Sequence, residues 1–353
     1  MDYQDHGFDS TDASSPPIPQ GMSQRPPSGH QVRPRHNGWR GFWWFLFLSS
    51  MVGNVIFFVA ITGLGAMVLG VPDGPFDERV IQGKGFKDKL VIISIEGVIN
   101  DVQSEKLQQQ VTMAQQDKAV AGVIVKINSP GGTISASDQI FAKIKAYRTA
   151  NQRKPVVAFM QGMAASGGYY AAAACEEIMA EPTVITGSIG VIFSNLVVQD
   201  LLENKLGILP VVVKSGPKKD WPSSYRAPSE EELLYIDERL ITPAYERFLD
   251  IVAEGREGIL DREQIRLLAD GGIYSAQAAK DNKLVDHIGY LEDAIELVRN
   301  KAGLGNVKVV EYEEVFSLAG LLSVKSKVGQ IRLDRSLIHE LTTPELLYMW
   351  KGY

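Results

Sequence analysis

Residues 119–148 read AVAGVIVKINSPGGTISASDQIFAKIKAYR. The first ten, Ala119–Asn128, form a β-branched apolar run of strand length, the pattern of a strand buried on both faces. Serine, proline and two glycines then break it, and the period changes. In Ser135–Arg148, Ile140, Ile144 and Tyr147 fall on one helical face, with Ser135 or Ser137 available as the cap. A second β-branched run, KPVVAFM (Lys154–Met160), follows. Strand, helix and strand at this spacing predict a βαβ unit, and hence a largely parallel sheet.

Working outward, KLVIISIEGVI (Lys89–Ile99) and LPVVVKSG (Leu209–Gly216) read as two more strands. Ser229 with Glu232 has the form of a capping box opening a long helix through Leu233, Ile236 and Leu240, which Pro243 should divide. From about Val307 the chain carries a strand-like run and then helical pieces, to which the residues assign no function. The fold class expected is α/β.

Composition bounds the rest. The chain has 353 residues, 45% of them hydrophobic and 22% charged, as in ordinary globular proteins. A net charge of −6 without a basic, aromatic-laced stripe argues against nucleic acid as a partner. The single cysteine, Cys175, excludes an intrachain disulfide; beside four alanines it reads as a packed residue.

Residues 1–40 are rich in Pro, Ser, Gln and Asp and read as a disordered cytoplasmic tail. Residues 41–70 contain no charged side chain, and about 20 apolar residues span a bilayer, so this run reads as one transmembrane helix. Trp39, Trp43 and Trp44 lie where an interfacial aromatic belt forms. Arg33, Arg35 and Arg40 before the span outnumber Arg79 and Lys84 after it, which places the bulk of the chain on the extracytoplasmic side of the inner membrane. Residues 71–88 read as a linker, 89–305 as the main domain and 306–353 as a C-terminal extension.

The chemistry centres on MAASGGYYAAAA (Met163–Ala174), where Ser166 stands among residues with almost no side chain. After the span only His287 and His339 could serve a Ser-His-Asp triad, and both read as structural or exposed. Metal-binding motifs are missing, and the glycines of SPGG and SGG are not followed by the GKS or GKT of a phosphate loop. A serine can instead be activated by a lysine whose amine is neutral. VVVKSGPKKDWPSSY offers Lys214, Lys218 and Lys219, with Trp221 at hand to exclude water. The turn at Gly131–Gly132 and the amide of Gly167 can supply backbone donors to a tetrahedral oxyanion. A helix starting at GYYAAAA would favour negative charge at Ser166.

INSPGG, MAASGGYYAAAACEEIMAEPTVITGSIGV, KSGPKKDWPSSYR and DGGIYSAQAAKDNKLVDHIG, in this order, resemble the signal peptide peptidase A family of serine peptidases. The resemblance covers about residues 89–302. It implies a twisted β-sheet superhelix flanked by helices, as in Clp protease and the crotonases. It also implies Ser166 as nucleophile and Lys219 as general base, with Lys218 beside it as the competing choice. The oxyanion donors would be Gly131 and Gly167, and Ser188 would orient the lysine. No metal or organic cofactor is implied. The partners expected are remnant signal peptides and further copies of the chain, in a homo-oligomeric ring whose active sites lie at subunit interfaces. Ser166 and Lys219 of one protomer could therefore lie apart. A crotonase-like acyl-thioester enzyme and a non-catalytic membrane scaffold are the alternatives.

Overall fold

The computed structural model describes residues 38–69, 76–315 and 345–350, and the chain divides into two units, Met1–Val71 and Pro72–Tyr353. In the first, α1 (Gly38–Leu69) is one helix, uncharged beyond Arg40, as the run from residue 41 predicts. Its segment Trp39–Gly63 has a mean hydropathy of 2.1. At 1.5 Å per residue it reaches about 37 Å, enough to cross a hydrocarbon core. The expected disordered tail falls, up to residue 37, outside the described residues.

The second unit begins with β1 (Phe76–Gln82), β2 (Lys89–Glu96), α2 (Asp101–Gln116), β3 (Val120–Ser129), β4 (Gly131–Thr133) and α3 (Ile134–Ala150). Next come β5 (Val156–Ala165), α4 (Gly167–Ala172), β6 (Glu177–Ala180), β7 (Ile185–Gly187) and β8 (Ile192–Ser194). Helices α5 (Glu230–Ile236), α6 (Thr242–Gly255) and α7 (Arg262–Leu268) precede β9 (Ile273–Ser275) and α8 (Ala276–Asp281). The last elements are β10 (His287–Ile288), α9 (Leu291–Lys301), β11 (Lys308–Glu314) and β12 (Glu345–Met349).

Among the described residues the main sheet runs β1-β11-β2-β3-β5-β6-β10, with β7 beside β5 and β9 beside β7. All of these pairs are parallel except β1 with β11 and β7 with β9. Both faces are covered. Val91, Ile93 and Ile95 of β2 join the larger core with α2, α3, α4 and α6, while Leu90 and Ile92 pack with Ile295 and Val298 of α9. Each such side chain, fully buried, contributes on the order of 2 kcal/mol. This is why β2 and β3 read as nearly unbroken apolar runs.

Several expectations change in detail. Helix α3 starts one residue beyond the glycine turn, so Thr133 rather than Ser135 or Ser137 is its cap, its Oγ accepting from Ala136 N at 3.3 Å. Ser229 Oγ accepts from Glu232 N at 3.2 Å, but the Glu232 carboxylate turns to Arg226 instead of back to Ser229. Only half of the capping box forms. After α5 a π-helical turn, Asp237–Ile241, leads into α6, with Pro243 in its first turn, so the long helix is divided as predicted. Residues 71–88 hold β1, and 306–353 hold β11, a central-sheet strand. Leu209–Gly216 is not a strand. No described strand runs beside it, and Val211 and Val213 are 80% and 94% exposed.

Candidate active site

Strand β5 ends at Ala165 and α4 begins at Gly167, so Ser166 alone makes the turn. Its backbone is left-handed, φ 54° and ψ −114°. A non-glycine residue there costs on the order of 1–3 kcal/mol and persists only where its surroundings hold it. The hold is visible: Ser166 N donates to Gly187 O at 2.8 Å, and Ser166 O accepts from Tyr170 N at 2.9 Å. Helix α4 is pinned from both sides. Tyr169 Oη donates to Leu284 O at 2.8 Å and Tyr170 Oη to Asp138 at 2.6 Å. Burial pushes both phenols up, so they stay protonated donors.

The small residues are small for packing reasons. A Cβ on Gly167 would lie 2.5 Å from Ser137 Oγ, and one on Gly168 3.0 Å from Ser129 O. Cys175 is buried in the same layer, its thiol pushed up to about 12 by desolvation, which removes it as a nucleophile.

The two glycines expected to donate to an oxyanion are brought together. Gly131 has φ +98°, and a Cβ there would lie 2.7 Å from Gly167 N. The Gly131 amide is already engaged, donating to Ser129 Oγ, two residues before it, at 3.0 Å. Ser188 is also left-handed, at φ 50°. It donates its amide to Gly272 O at 2.7 Å and follows Gly187, the residue holding Ser166. Ser188 lines a cavity of about 320 Å³ together with Tyr245, Asp270 and Met349.

The lysines sit elsewhere. Lys214 pairs with Asp220 at 2.7 Å, and Lys218 lies over the rings of Trp221 and Tyr235, 5.0 and 4.2 Å from their centroids. Lys219 is exposed, and no ion pair or hydrogen bond engages its amine among the described residues. Nothing in the described chain joins it to Ser166. His287 is tied to Glu177 at 2.6 Å in a cluster with Lys301, and His339 lies outside the described residues.

One element was missed altogether. Strand β12, at the end of a stretch that suggested no function, lies antiparallel between β4 and β8, opposite the glycine turn. Its apolar run ELLYMW was the only signal, and pairing across more than about 150 residues leaves no local trace.

The sequence profile described as peptidase family S49 matches residues 148–305, and that described as Clp protease matches 79–184. A provisionally named signal peptide peptidase SppA of Enterococcus faecium is 38% identical over 267 residues, covering 72% of this chain and 74% of that one. The chloroplastic serine protease SPPA of Arabidopsis thaliana is 31% identical over 278 residues, 74% of this chain and 40% of its own length. Among solved structures, a membrane-bound stomatin-specific protease aligns over 65% of this chain with 15% identity and a TM-score of 0.43.

Proposed function

The chain belongs to peptidase family S49, and on that premise we propose that Ser166 is its nucleophile and Lys219 of a neighbouring copy its general base. It is a serine peptidase of Clp-like α/β fold that hydrolyses peptide bonds. The observation that carries the site assignment is the strained turn at Ser166 set against the Gly131–Gly167 contact. Strain of this kind, at the end of a buried strand and beside two backbone amides, has no packing purpose that a glycine would not serve better.

In this reading Ser166 Oγ attacks the substrate carbonyl carbon while its proton passes to the Lys219 amine. The oxyanion takes hydrogen bonds from Gly167 N–H and from Gly131 N–H, the latter exchanging Ser129 Oγ for the stronger, charged acceptor. The lysine gives the proton to the leaving amine as the C–N bond breaks, leaving an acyl-enzyme. It then takes a proton from water, whose oxygen attacks the ester, and the proton returns to Ser166 as its C–O bond breaks. The Ser188 hydroxyl orients the lysine.

Lys219 supports its role by being unengaged while Lys214 and Lys218 have partners. The exposed apolar surface of Leu209, Val211 and Val213 next to it suits burial against another copy in a ring. Helix α1 would anchor the protein in the inner membrane in a single pass, with the peptidase unit on the extracytoplasmic side, near apolar peptides such as remnant signal peptides.

The test is cleavage of an unstructured, apolar-rich peptide by the assembled protein. Ser166→Ala and Lys219→Ala should each lower kcat by about 10³-fold or more at unchanged oligomer size. Full activity in Lys219→Ala with loss in Lys218→Ala moves the base by one residue. Cleavage by Ser166→Ala refutes the mechanism.

A further inference from the structure

Lys219 stands between two residues that α5 holds, one directly and one through Arg226. On one side, the Lys218 amine lies 4.2 Å from the centroid of the Tyr235 ring and 5.0 Å from that of Trp221. The Glu231 carboxylate is 3.8 Å from the same amine. Glu231 and Tyr235, four residues apart, share one face of α5. On the other side, Asp220 pairs with Arg226 at 3.6 Å, and Arg226 donates to Glu232 at 2.6 Å. Lys214 closes the turn, its amine donating to Asp220 Oδ1 at 2.7 Å and to Pro217 O at 3.0 Å. Within the turn, Lys219 N donates to Gly216 O and Trp221 N to Lys218 O, each at 3.2 Å.

The root of this chain of contacts is costly. The Glu232 side chain is fully buried, and its Oε1 meets no hydrogen-bond donor among the described residues. Its carboxylate has left the capping box of its own helix half formed in order to reach Arg226. A buried ion pair adds little to stability, and apolar side chains of similar volume commonly serve as well or better. What it supplies is direction, because the rigid guanidinium fork meets carboxylates at set angles. A hydrogen bond from Lys214, then its charge and that of Arg226, outweigh desolvation and hold the Asp220 carboxyl below its ordinary value. The link is therefore ionised near neutral pH. A solvated turn has no use for a buried carboxylate; a turn that must deliver one amine to a fixed point does.

We propose that α5 is the mount for Lys219, and that Arg226, Glu232 and Tyr235 are positioning residues that set where its amine meets Ser166 of the neighbouring copy. This rests on Lys219 being the base supplied across a subunit interface. The three act through the turn: with Lys218 and Asp220 both fixed, the backbone of Lys219 is fixed from either side. Only its own side-chain torsions are then left to be settled at the interface. A misplacement of about 1 Å in a reacting group can cost about 10²-fold, so a loosened mount should lower turnover at least about tenfold.

The test uses full-length Ser166→Ala and Lys219→Ala chains, mixed under conditions that exchange subunits, with exchange and oligomer size checked by native mass spectrometry. Only the Ser166→Ala chain brings the lysine and only the Lys219→Ala chain brings the serine, so a defect in placing the lysine follows the first chain alone. Arg226→Gln with Glu232→Gln replaces the ion pair by two amides and strands no charge. Carried on the Ser166→Ala chain, it should lower the recovered kcat at least about tenfold. Carried on the Lys219→Ala chain, it should leave the recovery as it was. Equal losses in both arms, the mark of a merely structural role, or no loss in either, overturn the proposal. If the amide pair does not assemble, Tyr235→Leu strips an exposed ring and carries the same two arms. A loss of about threefold is expected in the first arm only, and equal arms overturn the proposal. If the unmodified mixture recovers no activity, the neighbouring-copy reading fails and the mount with it; recovery with equal arms fails the mount alone.

Discussion

At Ser166 the chain spends conformational strain, and the glycines around it leave no room for change. Gly167→Ala would set a Cβ 2.5 Å from Ser137 Oγ, so it should destabilise by about 1–3 kcal/mol in urea unfolding. Adding Ser137→Gly should recover part of that loss, and no recovery would place the clash elsewhere, at Gly131 or Gly132. A second residue effect is electrostatic. Burial raises the Glu311 carboxyl, but hydrogen bonds from Lys126, Ser94 and Arg79 outweigh it and hold it below 4.5. A carboxylate depressed in the folded state stabilises above its unfolded pKa and loses that contribution as pH falls through the folded value. Glu311→Gln should therefore lower Tm at pH 7, and the deficit should shrink as pH is taken below about 4.5. Ser166 and the glycines could be picked out from sequence because small residues around one hydroxyl are unusual. Asp138 and Tyr348 could not, since each matters only through a partner distant in sequence.

Elements whose neighbours are close in sequence were legible. The βαβ unit from β3 through β5 follows from periodicity because its apolar faces are set by buried contacts on both sides of the sheet. Leu209–Gly216 has the composition of a strand, yet a strand needs an edge to bond, and no described strand offers one. If a neighbouring copy covers it, Val211→Asp with Val213→Asp should reduce the oligomer in light scattering and lower cleavage. An unchanged oligomer with full activity would remove this segment from the interface. The buried Arg256–Asp286 pair, at 2.9 Å, ties the end of α6 to the turn before β10. Asp286→Asn should cost about 3–5 kcal/mol in equilibrium unfolding, because it leaves the guanidinium short of its counter-charge.

For the whole molecule, a base supplied by a neighbouring copy, as proposed for Lys219, predicts complementation between protomers. Mixing Ser166→Ala with Lys219→Ala under conditions that exchange subunits should restore part of the activity, since some interfaces then combine an intact serine with an intact lysine. No recovery, with exchange verified by mass spectrometry, would place the base within the same chain. Sequence by itself determined the α/β class, the apolar helix ahead of it and the serine with its glycine partners. Hydrophobic period, uncharged length and side-chain size are local properties that survive in the linear chain. Tertiary structure alone decided that β12 closes the groove between β4 and β8, and that Leu209–Gly216 meets no described strand. Each of these depends on which backbone edge or donor a distant segment meets, and hydrogen bonds across such distances are settled only when the sheet has formed.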